Sequence, residues 1–378
     1  MKNAAIIFLI LLSTIIKPKN NLGEQGDITK QFNVSKGGSL VVKIASGDIR
    51  VISWNKDEVH VNIKGVYEDD NNRIKINKYG NTVEVNDKGW GTNADEIVIH
   101  VPSKFNIDLT SNSGDLKILG IYEGNLEAST GGGDITFDDI KGKVDVSTSG
   151  GDITAGDVVG DIFIKTMGGD ISLKSVSKDA EISTNGGDIK IGEVGNYLKV
   201  TTFGGDIKID KIGGSVETVT YGGDIIIHKV SGNVISNTYG GDISLAGANG
   251  VVKAKSGGGD ITLRGISGSI LASTGSGDVY AELNPNGKEN TKISSGSGTI
   301  KLFLPENSRV NIEARIRETS WDEDKYEYEI KSDFKAQSYI RNSAEDEINA
   351  TYILNGGGVK IFLQTTNSDI EIKKLFKY

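Results

Sequence analysis

The chain has 378 residues, of which 50 are Gly, 4 are Pro and none is Cys. Its formal charge is −9, with 42 Lys and Arg interspersed among 51 Asp and Glu, a balance that argues against nucleic-acid binding. Three scattered histidines (His60, His100 and His228) and the absence of cysteine leave no zinc or thiolate site to propose.

At the N-terminus, Lys2 precedes a mostly apolar run from Ala4 to Ile16. That is the length of a signal-peptide core and short of the roughly 20 residues that span a bilayer. Residues 1–22 therefore read as a secretory signal, although no small-x-small site marks the cleavage point and Lys17-Pro18-Lys19 follows closely. An uncleaved anchor is the alternative, and the one route by which this chain would touch a membrane; an ordinary buried segment is the third reading. Without Cys there is no lipoprotein attachment site. An exported chain without disulfides points to a bacterium and to the periplasm, cell surface or medium.

Residues 23–110 read as an N-terminal β cap. Leu40 to Ile44 and Gly47 to Val51 alternate as strands, and the second contains Gly47-Asp48-Ile49, the signature of a first coil. Val59 to Ile63, Ile74 to Ile76, Val83 to Val85 and Ile97 to Val101 alternate as well, with a hairpin turn expected at Tyr79 to Thr82. Residues 53–108 are expected to form an antiparallel insertion that covers the open end of the stack, as repeat proteins require.

Residues 111–304 hold the dominant pattern. Gly-Asp followed by an aliphatic residue occurs at Asp115, Asp134, Asp152, Asp170, Asp188, Asp206, Asp224, Asp242, Asp260 and Asp278, and every interval from Asp134 onward is 18 residues. An Asp held in register this way is a structural repeat. One residue after the Asp comes Ile in nearly every copy, three after comes a bulky apolar residue, and six after comes Ile, Val or Ala. Apolar residues return ten and twelve after, as in Leu198 and Val200. Two short alternating runs joined by Gly-bearing turns predict two strands per coil with one face inward, and the residue at the bend makes a short third side. Nothing recurs at 3.6, which excludes a helix. The predicted fold is all-β: a right-handed parallel β-solenoid with 18-residue coils, capped at both ends by β segments. After Asp278 the loop Asn284-Pro285-Asn286-Gly287 breaks the rhythm, Gly298-Thr299-Ile300 gives a final coil, and residues 305–378 read as the second cap. That cap contains the acidic Trp321-Asp322-Glu323-Asp324 and strands expected from Val310 to Ile316, Tyr326 to Ile330, Ile348 to Leu354, Val359 to Leu363 and Ile370 to Ile372, and Ser368-Asp369-Ile370 echoes the repeat.

This layout resembles the DUF4097 family of bacterial β-strand-repeat proteins, a group labelled as adhesins, and more loosely the autotransporter-adhesin-head-like domains. The resemblance is carried by Gly47-Asp48-Ile49 followed by Trp54-Asn55-Lys56-Asp57-Glu58-Val59, and by Val101-Pro102 before the repeats. It is carried further by Leu304-Pro305-Glu306 after them and by Asn355-Gly356-Gly357-Gly358 ahead of Ser368-Asp369-Ile370-Glu371-Ile372. It implies an exported β-helix-like fold and supplies neither an activity nor catalytic residues.

Three columns are candidates for chemistry. The Asp column (Asp134, Asp152, Asp170, Asp188, Asp206, Asp224, Asp242, Asp260 and Asp278) reads as a set of turn caps accepting backbone N–H bonds. The alternative is a calcium ladder, as in Gly-rich β-rolls, though here only one turn per coil carries the Asp. Four residues before each Asp stands a Thr or Ser, placed inward, whose hydroxyl must satisfy turn backbone. Three residues before, at an outward position, the residue varies: Phe203, Tyr221 and Tyr239 should form an exposed aromatic strip, either stiffening the stack or binding a ligand. No catalytic residue, cofactor or metal site is proposed. The expected function is a non-enzymatic exported scaffold for adhesion, with a cell-surface glycan or a protein as partner and no nucleic acid. Calcium-binding β-roll is the alternative. A polysaccharide-acting β-helical enzyme is disfavoured because the coils are uniform and Arg264 is the lone Arg between Ile118 and Leu304.

Overall fold

The computed structural model describes residues 25–67, 73–87, 93–319, 328–342 and 346–375. The expected signal segment, the acidic patch at Trp321 to Asp324 and the start of the strand expected from Tyr326 lie outside the described residues. Among the described residues there is no helix, and none is therefore long and apolar enough to cross a membrane.

The 18-residue spacing becomes vertical registry. Ile153 pairs with Ile171, and the series runs in parallel through Ile189, Ile207, Ile225, Ile243 and Ile261 to Val279. On the second side Val144 begins the series Ile162, Ala180, Leu198, Val216, Val234 and Val252, again parallel. At the bend between them Val158, Val176, Val194, Ile212 and Val230 stack, and the line extends by single bridges to Ala248 and Ile266. The chain is a β-solenoid of two main strips and a short corner strip. Period-2 alternation sends one residue set inward: Ile189, Ile191, Val194, Leu198 and Val200 of one rung are all buried. Burying such a side chain is worth about 1.5–3 kcal/mol. A lone rung has no neighbour to bury it against, so the stack folds as a stack. Where the core column turns polar, the groups satisfy each other: the Thr218 hydroxyl donates to Ser236 Oγ at 2.9 Å, both fully buried.

At the N-terminal end one long strand, Gly38–Trp54, makes a whole rung, bending at Gly47 with φ +126°. Its first half places Leu40 beside Ile107 and its second places Ile49 beside Leu116. The insertion is not antiparallel throughout, contrary to expectation. Thr82–Asp87 and Asn93–Pro102 both lie parallel to Gly38–Trp54 and add another rung. The direction reverses only beyond them: Ile74–Tyr79 closes one strip, while Glu58–Tyr67 and then Gln25–Asn33 close the other. Alternation reveals which face of a strand is buried but not which way it runs.

At the other end the stack continues past Leu304. Val359–Thr366 and Ile370–Lys374 form a further rung, with Thr291 beside Ile361 and Ile300 beside Ile370. Val310–Arg317 and Ile330–Ser332 add the next, also in parallel. Glu347–Leu354 and Ser338–Asn342 finish it with antiparallel pairing.

Candidate functional site: the turn ladder and the aromatic strip

Each aspartate of the repeat holds the next rung rather than its own turn. Asp134 Oδ1 accepts the backbone N–H of Asp152 at 2.8 Å, and Asp152 Oδ1 accepts that of Asp170 at the same distance. The chain of bonds continues through Asp188, Asp206, Asp224, Asp242 and Asp260 to Asp278, whose Oδ1 takes the N–H of Thr299 at 2.7 Å. It begins two rungs before Asp134, running from Asp48 to Asp115 and from Asp115 to Asp134. Beyond the break, Asp369 does the same for Glu329 N–H at 2.9 Å, so Ser368-Asp369-Ile370 is a working turn of the ladder.

The inward hydroxyls tie the same turns in the opposite direction. Thr202 Oγ1 donates to the Gly187 carbonyl of the preceding rung at 3.1 Å and accepts the N–H of Gly205 in its own turn at 3.3 Å. Thr148, Thr166, Thr184, Thr220, Thr238, Ser256 and Thr274 repeat both bonds. Thr365 donates likewise to Gly298 O at 2.7 Å. Through Asp and Thr together, N–H groups and carbonyls that lie outside the strand ladders find partners, as buried turn backbone must.

A second, irregular ladder runs along another bend. Asn106 Oδ1 accepts from Asn125 N–H, Asn125 from Lys143, Asp161 from Asp179, Asp179 from Tyr197, Ser215 Oγ from Asn233, and Asn233 from Val251. Its chemistry matches the Asp column. Its residue types vary, so periodicity alone does not reveal it; an Asn, Asp or Ser in two of every three copies is the available signal.

Among the described residues no group of three or more Asp, Glu, His or Cys side chains is placed to hold a metal ion. A calcium shell takes roughly six to eight oxygens, whereas this column offers one carboxylate per rung with Oδ1 already engaged. Changing Asp170, Asp188 and Asp206 together to Asn should therefore leave the melting temperature unchanged or raised. The amide oxygen still accepts, and like charges about 4.8 Å apart no longer repel by about 1 kcal/mol per pair. Changing them to Ala should lower it, at about 0.5–1.5 kcal/mol per lost bond. Melts of the three proteins with and without EDTA check this; a drop on chelation would identify a cation ladder.

Phe203, Tyr221 and Tyr239 lie on consecutive rungs with ring centroids 4.8 Å apart and planes within 4° of parallel. They face outward at 52%, 44% and 65% exposure. The stack ends at Tyr239, because the next residue of the column is Gly257, which sits directly against the Tyr239 backbone.

The histidines are less scattered than the sequence suggests. His60 and His100 pair across antiparallel strands with ring centroids 6.1 Å apart, and Trp54 lies 4.9 Å from His100. Lys56 Nζ stands over the indole at 4.5 Å, and the indole N–H donates to Glu58 O. His100 Nδ1 is buried without a hydrogen-bond partner, and burial, followed by the nearby His60 and Lys56, holds its pKa below the usual imidazole value.

Stacked turns, a filled core and one outward aromatic line define a capped parallel β-solenoid built as a repeat scaffold. The chain belongs to the Toastrack DUF4097 family, whose profile matches residues 37–227 and 214–361. It is similar to a solved structure named a "putative adhesin" from Bacteroides fragilis, at 16% identity over 58% of this chain and 97% of that one, with a TM-score of 0.39. Another so named, from Parabacteroides merdae, has 14% identity over 59% and 97%, with a TM-score of 0.34. A structure named a "putative lipid binding protein" from Parabacteroides distasonis has 16% identity over 74% and 98%, with a TM-score of 0.25. Among curated proteins none matches the chain.

Proposed function

We propose that this protein is a non-enzymatic, exported cell-envelope or surface scaffold, and that the Phe203–Tyr221–Tyr239 strip is where it meets a glycan or protein partner. The observation that carries the reading is the exposed aromatic stack itself, set on rungs whose adjoining strands are paired in parallel register. Large apolar groups held rigidly at a surface give up little conformational entropy on binding, and so serve well as anchors. A non-enzymatic role is favoured by the uniform rungs: from Ile135 to Val279 the pairing keeps its 18-residue step, so no long loop rises to wall a catalytic groove. The apolar run after Lys2 supports export.

Replacing all three aromatics with Ser should abolish binding of the labelled protein to whatever surfaces the wild type recognises on a glycan array or on immobilised extracellular proteins. Circular dichroism should remain that of the parent. Unchanged binding by the triple variant would remove the strip from the account.

A further inference from the structure

The aromatic stack is finite, and its two ends differ. Phe203 has Asn185 beyond it in the outward column, whereas Tyr239 has Gly257. A Cβ built on Gly257 would meet Tyr239 O at 2.1 Å and Tyr239 Cα at 3.4 Å, so this glycine lies against the tyrosine's own backbone with no side chain above the ring. The next two positions are glycines as well: a Cβ built on Gly275 would meet the Gly257 carbonyl oxygen at 2.1 Å, and one built on Gly296 would meet that of Gly275 at 2.0 Å. The Ser294–Gln364 pairing then brings Thr366 into the column. From the Tyr239 ring to Thr366 the surface is thus a notch of three bare rungs, about 19 Å between its two ends at the strand spacing. Tyr239 is the most exposed of the three rings, at 65% against 44% for Tyr221, as expected of a ring with one face uncovered.

The notch pairs that apolar end with polar flanks. Lys255, Ser273 and Ser294 stand outward two residues before its glycines, and Ser276 and Ser297 follow Gly275 and Gly296. An aromatic face beside hydroxyl and amine groups suits a ligand with C–H groups on one side and hydroxyls around its rim. A second copy's apolar patch would leave those flanking groups desolvated and unpaired, at a cost.

Building on the reading of the strip as the contact surface, we propose that the uncovered face of Tyr239 over Gly257 is a carbohydrate subsite. It takes one pyranose with equatorial hydroxyls, whose axial C–H face lies on the ring in the place a fourth aromatic would occupy. The sugar ring is parallel to the tyrosine ring, so a β-1,4-linked chain crosses the rod rather than following it. Lys255, Ser273 and Ser276 face the hydroxyls.

The test uses cellohexaose and chitohexaose as probes, with binding followed by saturation-transfer NMR and titration against the full mature chain. The wild type binds at least one of them. Tyr239→Phe keeps the face and binds as the wild type, whereas Tyr239→Ser weakens binding by about tenfold, the loss of one anchoring contact. Phe203→Ser, at the end next to Asn185, changes affinity by less than about twofold. Failure of both hexasaccharides to bind the wild type at millimolar concentration overturns the subsite. Binding of p-cresol with the same Tyr239 dependence, when neither sugar binds, overturns it in favour of an aromatic ligand. Equal losses for Phe203→Ser and Tyr239→Ser place the contact on the ring edges, which removes the subsite and leaves the strip reading standing. Undiminished sugar binding by the triple Ser variant removes both.

Discussion

Gly187→Ala should destabilise the solenoid by about 3 kcal/mol or more, while Gly186→Ala, one residue earlier in the same turn, should be close to neutral. Both glycines belong to one Gly-Gly-Asp turn, and neither has a positive φ, so backbone freedom does not separate them. Space does. A Cβ on Gly187 would stand 2.1 Å from Gly169 O and 2.6 Å from Asp170 Oδ1, against backbone that is fixed by its own rung. To relieve that overlap the turns must separate, and separation stretches the Thr184–Gly169 and Asp170–Asp188 bonds, now 3.0 and 2.8 Å. On Gly186 the nearest atom to a Cβ is Gly168 O at 3.4 Å, an ordinary contact. Denaturant midpoints of the two variants check the contrast. Equal losses would mean that the turn needs glycine for conformation rather than for close approach.

Thr202→Val should cost about 2–6 kcal/mol although it barely changes side-chain shape, since two buried groups lose their partner at about 1–3 kcal/mol each. Thr202 is fully buried, so water cannot replace the hydroxyl. Its removal orphans Gly187 O in one rung and Gly205 N–H in the next. Thr202→Ser keeps both bonds and should recover most of the loss. Urea titration of the three proteins measures it; a Val variant as stable as the Ser variant would show that the hydroxyl column is incidental.

Much of the solenoid was legible because its period does not slip. An Ile that follows Asp at a constant step can only stack on its counterpart, and alternation fixed Thr202 inward and Tyr221 outward. Periodicity gives phase but not partner, which is why the Asp column read as a set of caps on its own turns, whereas Oδ1 of each carboxylate reaches the N–H of the next rung. The strands of the rung Val359–Thr366 and Ile370–Lys374 were readable from alternation, but only the echo at Asp369 pointed to their place in the stack, because an intervening segment separates them from the regular coils. The Trp54–His60–His100 cluster was hidden for a different reason: its members lie on three strands, and only the tertiary pairing brings them together. For Tyr239, exposure and column were readable, but the uncovered face depends on how closely Gly257 packs against the turn below.

The turns are bonded from rung to rung as firmly as the strands. Native-state amide hydrogen exchange, resolved by residue, tests that most directly. The N–H groups of Asp152, Asp170, Asp188, Asp206, Asp224, Asp242, Asp260 and Asp278 should be protected to the same degree as those of the neighbouring Ile189, Ile207 and Ile225, because each donates to a carboxylate of the preceding rung. Asp amides exchanging at the rate of an unfolded chain while the Ile amides stay protected would contradict it, leaving a stack joined by its strands alone.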